Sequence, residues 1–202
     1  MDFIAFDIET TGTVAGVDHI IEIGFVRFIN GEPESTFSTL VDPGIPIPVE
    51  AQKVNHINDE MVKGRPRLEQ LLGPLTEFCG DLPLVAHNAP FDMAFLTHAY
   101  LQYELPTPRG VVIDTLLLAR KIIPGLPNYK LGTLTAHFDI ASGEFHRAQQ
   151  DAIYCGEVYL KLLSRIKKDI RQIPLEEVVE LTGKPAQYFP VVQRRPKQLG
   201  LF

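Results

Sequence analysis

The sequence predicts an α/β fold, a central mixed five-stranded sheet flanked by helices. Three observations predict it. Three apolar runs follow one another near the start, separated by turn residues. From residue 68 onward, short apolar runs alternate with stretches of helical period. Of the 202 residues, 45% are hydrophobic, which supplies one core and leaves room for a tail.

The first strand is FIAFDIETTG (3–12). HIIEIGFVRFING (19–31) is the second, ending in the turn dipeptide Asn30-Gly31, and STFSTLVDPG (35–44) is the third, paired antiparallel as a meander. A Pro-rich crossing, PGIPIPVEAQKVNHIND, follows. Leu68, Leu71, Leu72, Leu75 and Phe78 have helical spacing over 68–79, interrupted by Gly73-Pro74. LPLVAHN (82–88) reads as a short buried strand, 91–103 as a helix, and VVID (111–114) as the fifth strand. Asp114 caps a helix over 115–123. Helices near 131–137 and 148–166 complete a domain of residues 1–166. The remainder, 167–202, is a basic, Pro-containing tail with one small helix at 174–182.

Charge is divided along the chain. Residues 1–160 hold 10 Lys and Arg against 21 Asp and Glu, net −11; residues 161–202 hold 9 against 4, net +5. An acidic body that handles a polyanion needs cations at the point of contact. The apolar runs are too short to span a membrane, and no secretory signal opens the chain. Cys79 and Cys155 are too few for a disulfide framework or a cysteine metal site, so a reducing, cytoplasmic setting with two structural thiols is expected.

Four acids fall where periodicity points inward. Asp7 and Glu9, two apart on a strand, share one face. The flanking Phe3, Ile4, Phe6 and Ile8 argue against an exposed edge. Asp92 shares a helical stripe with Phe95, Leu96 and Ala99, and Asp151 shares one with Tyr154, Cys155, Val158 and Leu162. Ionised carboxylates on core faces need pairing or metal, and basic residues are scarce in these segments. Two hard divalent cations would neutralise four acids and clamp both reacting oxygens of a phosphodiester. His146, just ahead of the last helix, is placed to take a proton from water near Asp151.

FDIETTG, HNAPFDMAFL and HRAQQDA resemble, in order, the three motifs of the DnaQ-like 3′→5′ exonucleases whose last motif carries a histidine. The resemblance covers roughly residues 2–165. It implies an RNase H-like fold and two Mg²⁺ or Mn²⁺ ions held by Asp7, Glu9, Asp92 and Asp151. It also implies His146 as general base and release of nucleoside monophosphates from a 3′ end. By the same resemblance, Thr10, Thr11 and Gly12 hold the 3′ end, His56 in VNHIND contacts the terminal nucleotide, and Lys130 in NYKLGTL touches a phosphate. Read without it, His56 and Lys130 are ordinary surface residues.

QLGLF (198–202) resembles the pentapeptide that binds the bacterial sliding clamp. Gln198 would bond at a pocket rim while Leu199, Leu201 and Phe202 supply apolar contacts, after a basic linker of Arg194, Arg195 and Lys197. The tail docking back on the domain is the simpler alternative. The expected function is 3′→5′ exonuclease action on DNA 3′ ends, single-stranded by preference, in proofreading or repair beside a DNA polymerase and tethered to the clamp. Two alternatives remain. One is RNA 3′-end trimming of the RNase T or oligoribonuclease kind, although ETTG has Thr where oligoribonucleases carry Met. The other is a noncatalytic clamp-binding adaptor.

Overall fold

The structure is a computed structural model that describes residues 1–143, 145–167 and 169–192. Its sheet has five strands: β1 (Phe3–Thr10), β2 (Ile20–Ile29), β3 (Glu32–Leu40), β4 (Leu84–Ala86) and β5 (Val112–Asp114), in the order β3-β2-β1-β4-β5. β1, β2 and β3 pair antiparallel, whereas β4 and β5 run parallel to β1. The sheet is therefore mixed, as the sequence predicts. Asn30 and Gly31 both have positive φ, the conformation of a two-residue hairpin loop, so β3 begins at Glu32, directly after the turn.

β1 lies at the centre and separates two cores by its period of two. Ile4, Phe6 and Ile8 face α3 (Leu68–Cys79) and α4 (Pro90–Gln102). Phe3 and Ala5 face α5 (Thr115–Ile122), α6 (Leu131–His137) and α7 (Ala148–Ile166). α3 runs straight through Gly73-Pro74, held by the fully buried Leu72 and Leu75. Asp114 caps α5 as expected, accepting from the Leu116 N–H at 2.8 Å.

The Pro-rich crossing holds two short helices, α1 (Val49–Asn55) and α2 (Asp59–Val62). Pro43, Pro46 and Pro48 all precede the first turn of α1, where a missing N–H costs nothing, and the Asn58 side chain caps α2 from Met61 N–H. The packed unit also extends past residue 166. After a 3₁₀ turn (Ile170–Gln172) and α8 (Leu175–Leu181), Val178 and Phe189 are buried in the core. The Val112 N–H donates to the Gln187 carbonyl at 2.7 Å, and the Thr107 hydroxyl donates to the Pro190 carbonyl at 2.9 Å. The sequence hid this because the burying residues are few and widely spaced. The motif at Gln198, Leu199, Leu201 and Phe202 lies outside the described residues.

Candidate active site

The acids of β1 sit where the apolar pattern of the strand gives way. Phe3 and Ala5 fill the face under α7; Asp7 and Glu9 continue that face past the end of the core and form the floor of an open cleft.

Asp92 arrives from the other layer. β4 ends at Ala86, paired no further along β1 than Ala5. The Ile4 N–H bonds to the Pro83 carbonyl, so the Ile8 N–H, four residues on, points to the same side with no strand beside it. The Asp92 carboxylate accepts that N–H at 3.1 Å. Asp92 is 3% exposed, in the first turn of α4, whose Pro90 occupies the helix start. The short strand thus creates the opening that the acid fills.

α7 brings the remaining two groups. Asp151 lies in its first turn and is 6% exposed. Its Oδ2 accepts the His146 backbone N–H at 2.8 Å, which holds the histidine loop against the helix, with His146 itself at positive φ. Its Oδ1 is buried without a hydrogen-bond partner. Ligand atoms of Glu9, His146 and Asp151 all lie within 4.8 Å of one another. Asp7, Glu9, Asp92, His146 and Asp151 therefore line one cleft of about 930 Å³, with Lys130 on its wall.

The electrostatics of this cluster are adverse as it stands. Burial, then Asp92, Glu9, Asp151 and Glu22, hold the Asp7 carboxyl well above the usual range. Burial and then the neighbouring acids push Glu9 from 4.5 to about 8, with Arg147 pulling the other way. Burial pushes Asp92 to about 8 against the opposing pull of its backbone hydrogen bonds, and burial also raises Asp151. Among the described residues, no ion pair joins Lys or Arg to any of the four. A lone buried carboxylate oxygen, three ligand groups within reach of a common point and uncompensated acids fit a hard divalent cation.

A pH dependence follows. Unfolded, Glu9 titrates near its ordinary 4.5; folded, it titrates near 8. Between those values the folded protein keeps a proton that the unfolded chain has lost. Metal-free stability should therefore decline as pH rises from about 5 to about 8. A cation that binds only ionised carboxylates should reverse this. Thermal unfolding in EDTA is expected to show Tm falling across that window, and the rise produced by Mn²⁺ is expected to grow with pH. A flat Tm in EDTA that Mn²⁺ leaves unchanged would contradict this account.

Thr10, Thr11, Gly12 and His56 do not line this cleft. The Thr10 hydroxyl donates to the Gly12 carbonyl at 2.6 Å, and the Thr11 hydroxyl accepts the His19 N–H at 2.9 Å. The exposed His56 ends α1 at positive φ, next to Asn55, whose side-chain amide donates to the Thr10 carbonyl at 3.2 Å. These residues stand beside the end of β1 rather than at the acid cluster. The sequence reading missed Glu22 and Arg147. Glu22 lies opposite Glu9 on β2, 3% exposed, and pairs with Arg147. Its signal was present, since Glu22 shares its face with Gly24, Val26 and Phe28 just as Asp7 shares one with Phe3 and Ala5.

The five-stranded mixed sheet flanked by helices, with this acidic cleft at the end of β1, is an RNase H-like fold of the kind seen in exonucleases. The chain matches the RNase T exonuclease family over residues 4–159 and belongs to it. It is 36% identical over 205 residues to the PolC-type DNA polymerase III of Caldanaerobacter subterraneus subsp. tengcongensis, covering 98% of this chain and 15% of that protein. It is 42% identical over 168 residues to the PolC-type DNA polymerase III of Halalkalibacterium halodurans, covering 83% and 11%. The chain thus spans only 11–15% of the length of these relatives. In structure it is similar to Exonuclease X in complex with 5′ overhanging duplex DNA, with TM-score 0.70, 27% identity and coverage of 90% and 99%. The fold is shared too by E. coli Exonuclease I in complex with a dA16 oligonucleotide, with TM-score 0.66, 17% identity and coverage of 81% and 40%. Among the described residues, no helix is long and apolar enough to cross a membrane.

Proposed function

We propose that the chain removes nucleoside monophosphates from DNA 3′ ends by metal-assisted hydrolysis, in replication proofreading or repair. The observation that carries this is the meeting of Asp7, Glu9, Asp92 and Asp151 with His146 in one cleft, where no ion pair among the described residues neutralises the four acids. The PolC-type relatives and the DNA complex of Exonuclease X favour DNA over RNA as the substrate.

Two Mg²⁺ or Mn²⁺ ions, when bound, would supply the positive charge that draws the phosphodiester to this acidic floor and stabilises charge developing on its oxygens. The four carboxylates would hold them, with Asp7 central to the set. His146, exposed at the cleft, accepts the proton of the attacking water at a ring nitrogen. Lys130, on the cleft wall, pairs with a phosphate of the strand. The backbone of Thr10, Thr11 and Gly12, together with His56, steadies the terminal nucleotide from beside β1. The 3′-hydroxyl of the shortened strand is the leaving group. Residues 198–202 tether the enzyme to a sliding clamp, which raises its local concentration at DNA ends.

A 5′-labelled single strand, as DNA and as RNA, incubated with Mg²⁺, Mn²⁺ or EDTA tests this. The expected result is a metal-dependent ladder shrinking from the 3′ end of the DNA. A ladder on RNA alone would mean RNA trimming, and no ladder on either would leave the adaptor. Deleting residues 198–202 should abolish clamp binding and leave turnover on free oligonucleotides intact.

A further inference from the structure

We propose that Glu22 and Arg147 act as one positioning element, which fixes the start of α7 and thereby sets His146 and Asp151 against Asp7 and Glu9. The inference rests on the catalytic reading above.

Glu22 is an unexpected residue where it stands. It is directly opposite Glu9 in the β1–β2 register, 3% exposed, and adds a fifth carboxyl group beside the four acids. Nothing in the packing of the sheet requires a charge there. All its hydrogen bonds go to one place. Oε2 accepts the Ala148 N–H at 3.0 Å and Arg147 Nε at 3.3 Å, and Oε1 accepts Arg147 Nη2 at 2.8 Å. Arg147 is the residue that precedes α7, and Ala148 is its first residue. The forked guanidinium–carboxylate pair and the helix N–H together define an orientation as well as a distance.

The same strand sets the height of the helix. A Cβ on Gly24 would collide with the backbone of Ala148 and Gln149. The first turn of α7 therefore rests directly on β2 at Gly24 and is gripped two residues away by Glu22. His146 lies just before this grip, and Asp151 lies one turn after it.

The hold of α7 on the core does not rest on the pair. α7 is anchored further along by Val158, Tyr159, Leu162 and Leu163, all fully buried. Glu22 does not line the catalytic cleft; it opens instead on a shallow hollow with Arg147 and Tyr154. It acts through α7 rather than on substrate, so it is a positioning residue. Displacements of an ångström at a reacting centre are felt strongly.

Arg147→Ala is the decisive variant, because electrostatics and positioning predict opposite signs. Losing a positive charge near the acids should by itself tighten cation binding. Losing the grip on α7 should weaken it. We expect Mn²⁺ affinity, measured by calorimetry, to fall several-fold, and kcat on single-stranded DNA to fall about 10- to 100-fold with KM little changed. Glu22→Gln, which still accepts from the Ala148 N–H, should fall in between and remain folded by circular dichroism. The double variant should be no worse than Arg147→Ala alone, since one element has been broken either way. Unchanged or tighter Mn²⁺ binding with wild-type kcat in Arg147→Ala would overturn the proposal, as would additive losses in the double variant. A wild-type protein without metal-dependent turnover would instead overturn the catalytic reading beneath it.

Discussion

Asp7→Asn is expected to lower nuclease activity by roughly 10³-fold or more, on the several kcal/mol that such charge stabilisation supplies. The same change should leave the metal-free protein as stable as wild type, or more stable. The two effects share one cause. Burial and four neighbouring acids, Asp92 and Glu9 foremost, oppose ionisation of Asp7. An uncharged amide of the same shape removes that conflict and removes the anion that a cation needs. Single-turnover assays with Mn²⁺ and thermal melts in EDTA at about pH 8 would be run side by side. Each kcal/mol recovered should appear as about 2–4 °C in a chain of this size. An active Asp7→Asn protein would show that the cluster is not the site. A variant that melts well below wild type in EDTA would show that the acid stabilises the fold, contrary to its environment.

Gly24→Val is expected to destabilise the protein by about 3–5 kcal/mol, the range of severe core defects. The added Cβ meets the backbone of Ala148 and Gln149, which cannot swing aside as a side chain can. Either β2 bows or the first turn of α7 lifts, and His146 and Asp151 lift with it. Activity should therefore fall even in molecules that remain folded. Gly73→Ala is the control: nothing lies within 4 Å of its added Cβ, and α3 is helical there, so a small rise in Tm is expected. Chemical denaturation of both variants would decide. If Gly24→Val unfolds at the wild-type midpoint, the close seating of α7 on β2 is wrong.

Much of the site was legible because it uses the periodicities that shape the fold. Asp7 and Glu9 break a strand pattern, and Asp92 and Asp151 break helical stripes whose other members, Phe95, Leu96, Ala99, Tyr154, Cys155, Val158 and Leu162, are all buried. A polar residue on an apolar face can be seen without coordinates. Glu22 obeys the same rule on β2, on a face shared with Val26 and Phe28, but lies outside the acidic motifs. Three features are not legible in the sequence. The hydrogen bond between Asp92 and the Ile8 N–H depends on β4 stopping at Ala86, and strand ends are set by tertiary packing. The Pro-rich crossing conceals α1 and α2 because its prolines suggest irregular chain, although Pro43, Pro46 and Pro48 all precede the first turn of α1. The packing of residues 170–192 depends on a few isolated contacts, Val178, Phe189 and the Gln187 carbonyl, that leave no periodic trace.

Both outer strands of the sheet are guarded against pairing with another chain, by different means. β3 carries Pro33 between the exposed Glu32 and Glu34, and charge and a missing donor make a poor template for a neighbour. β5 is three apolar or capping residues long and has no such protection of its own. Gln187 supplies it by taking the Val112 N–H, while Phe189 packs beside Tyr100 with ring centroids 6.2 Å apart. The stretch after α8 thus occupies a donor on the outer edge of β5 as well as packing against the core. A shortened version ending at residue 166 would carry an open, sticky β5 margin, and its failure to stay in solution would say nothing about its chemistry.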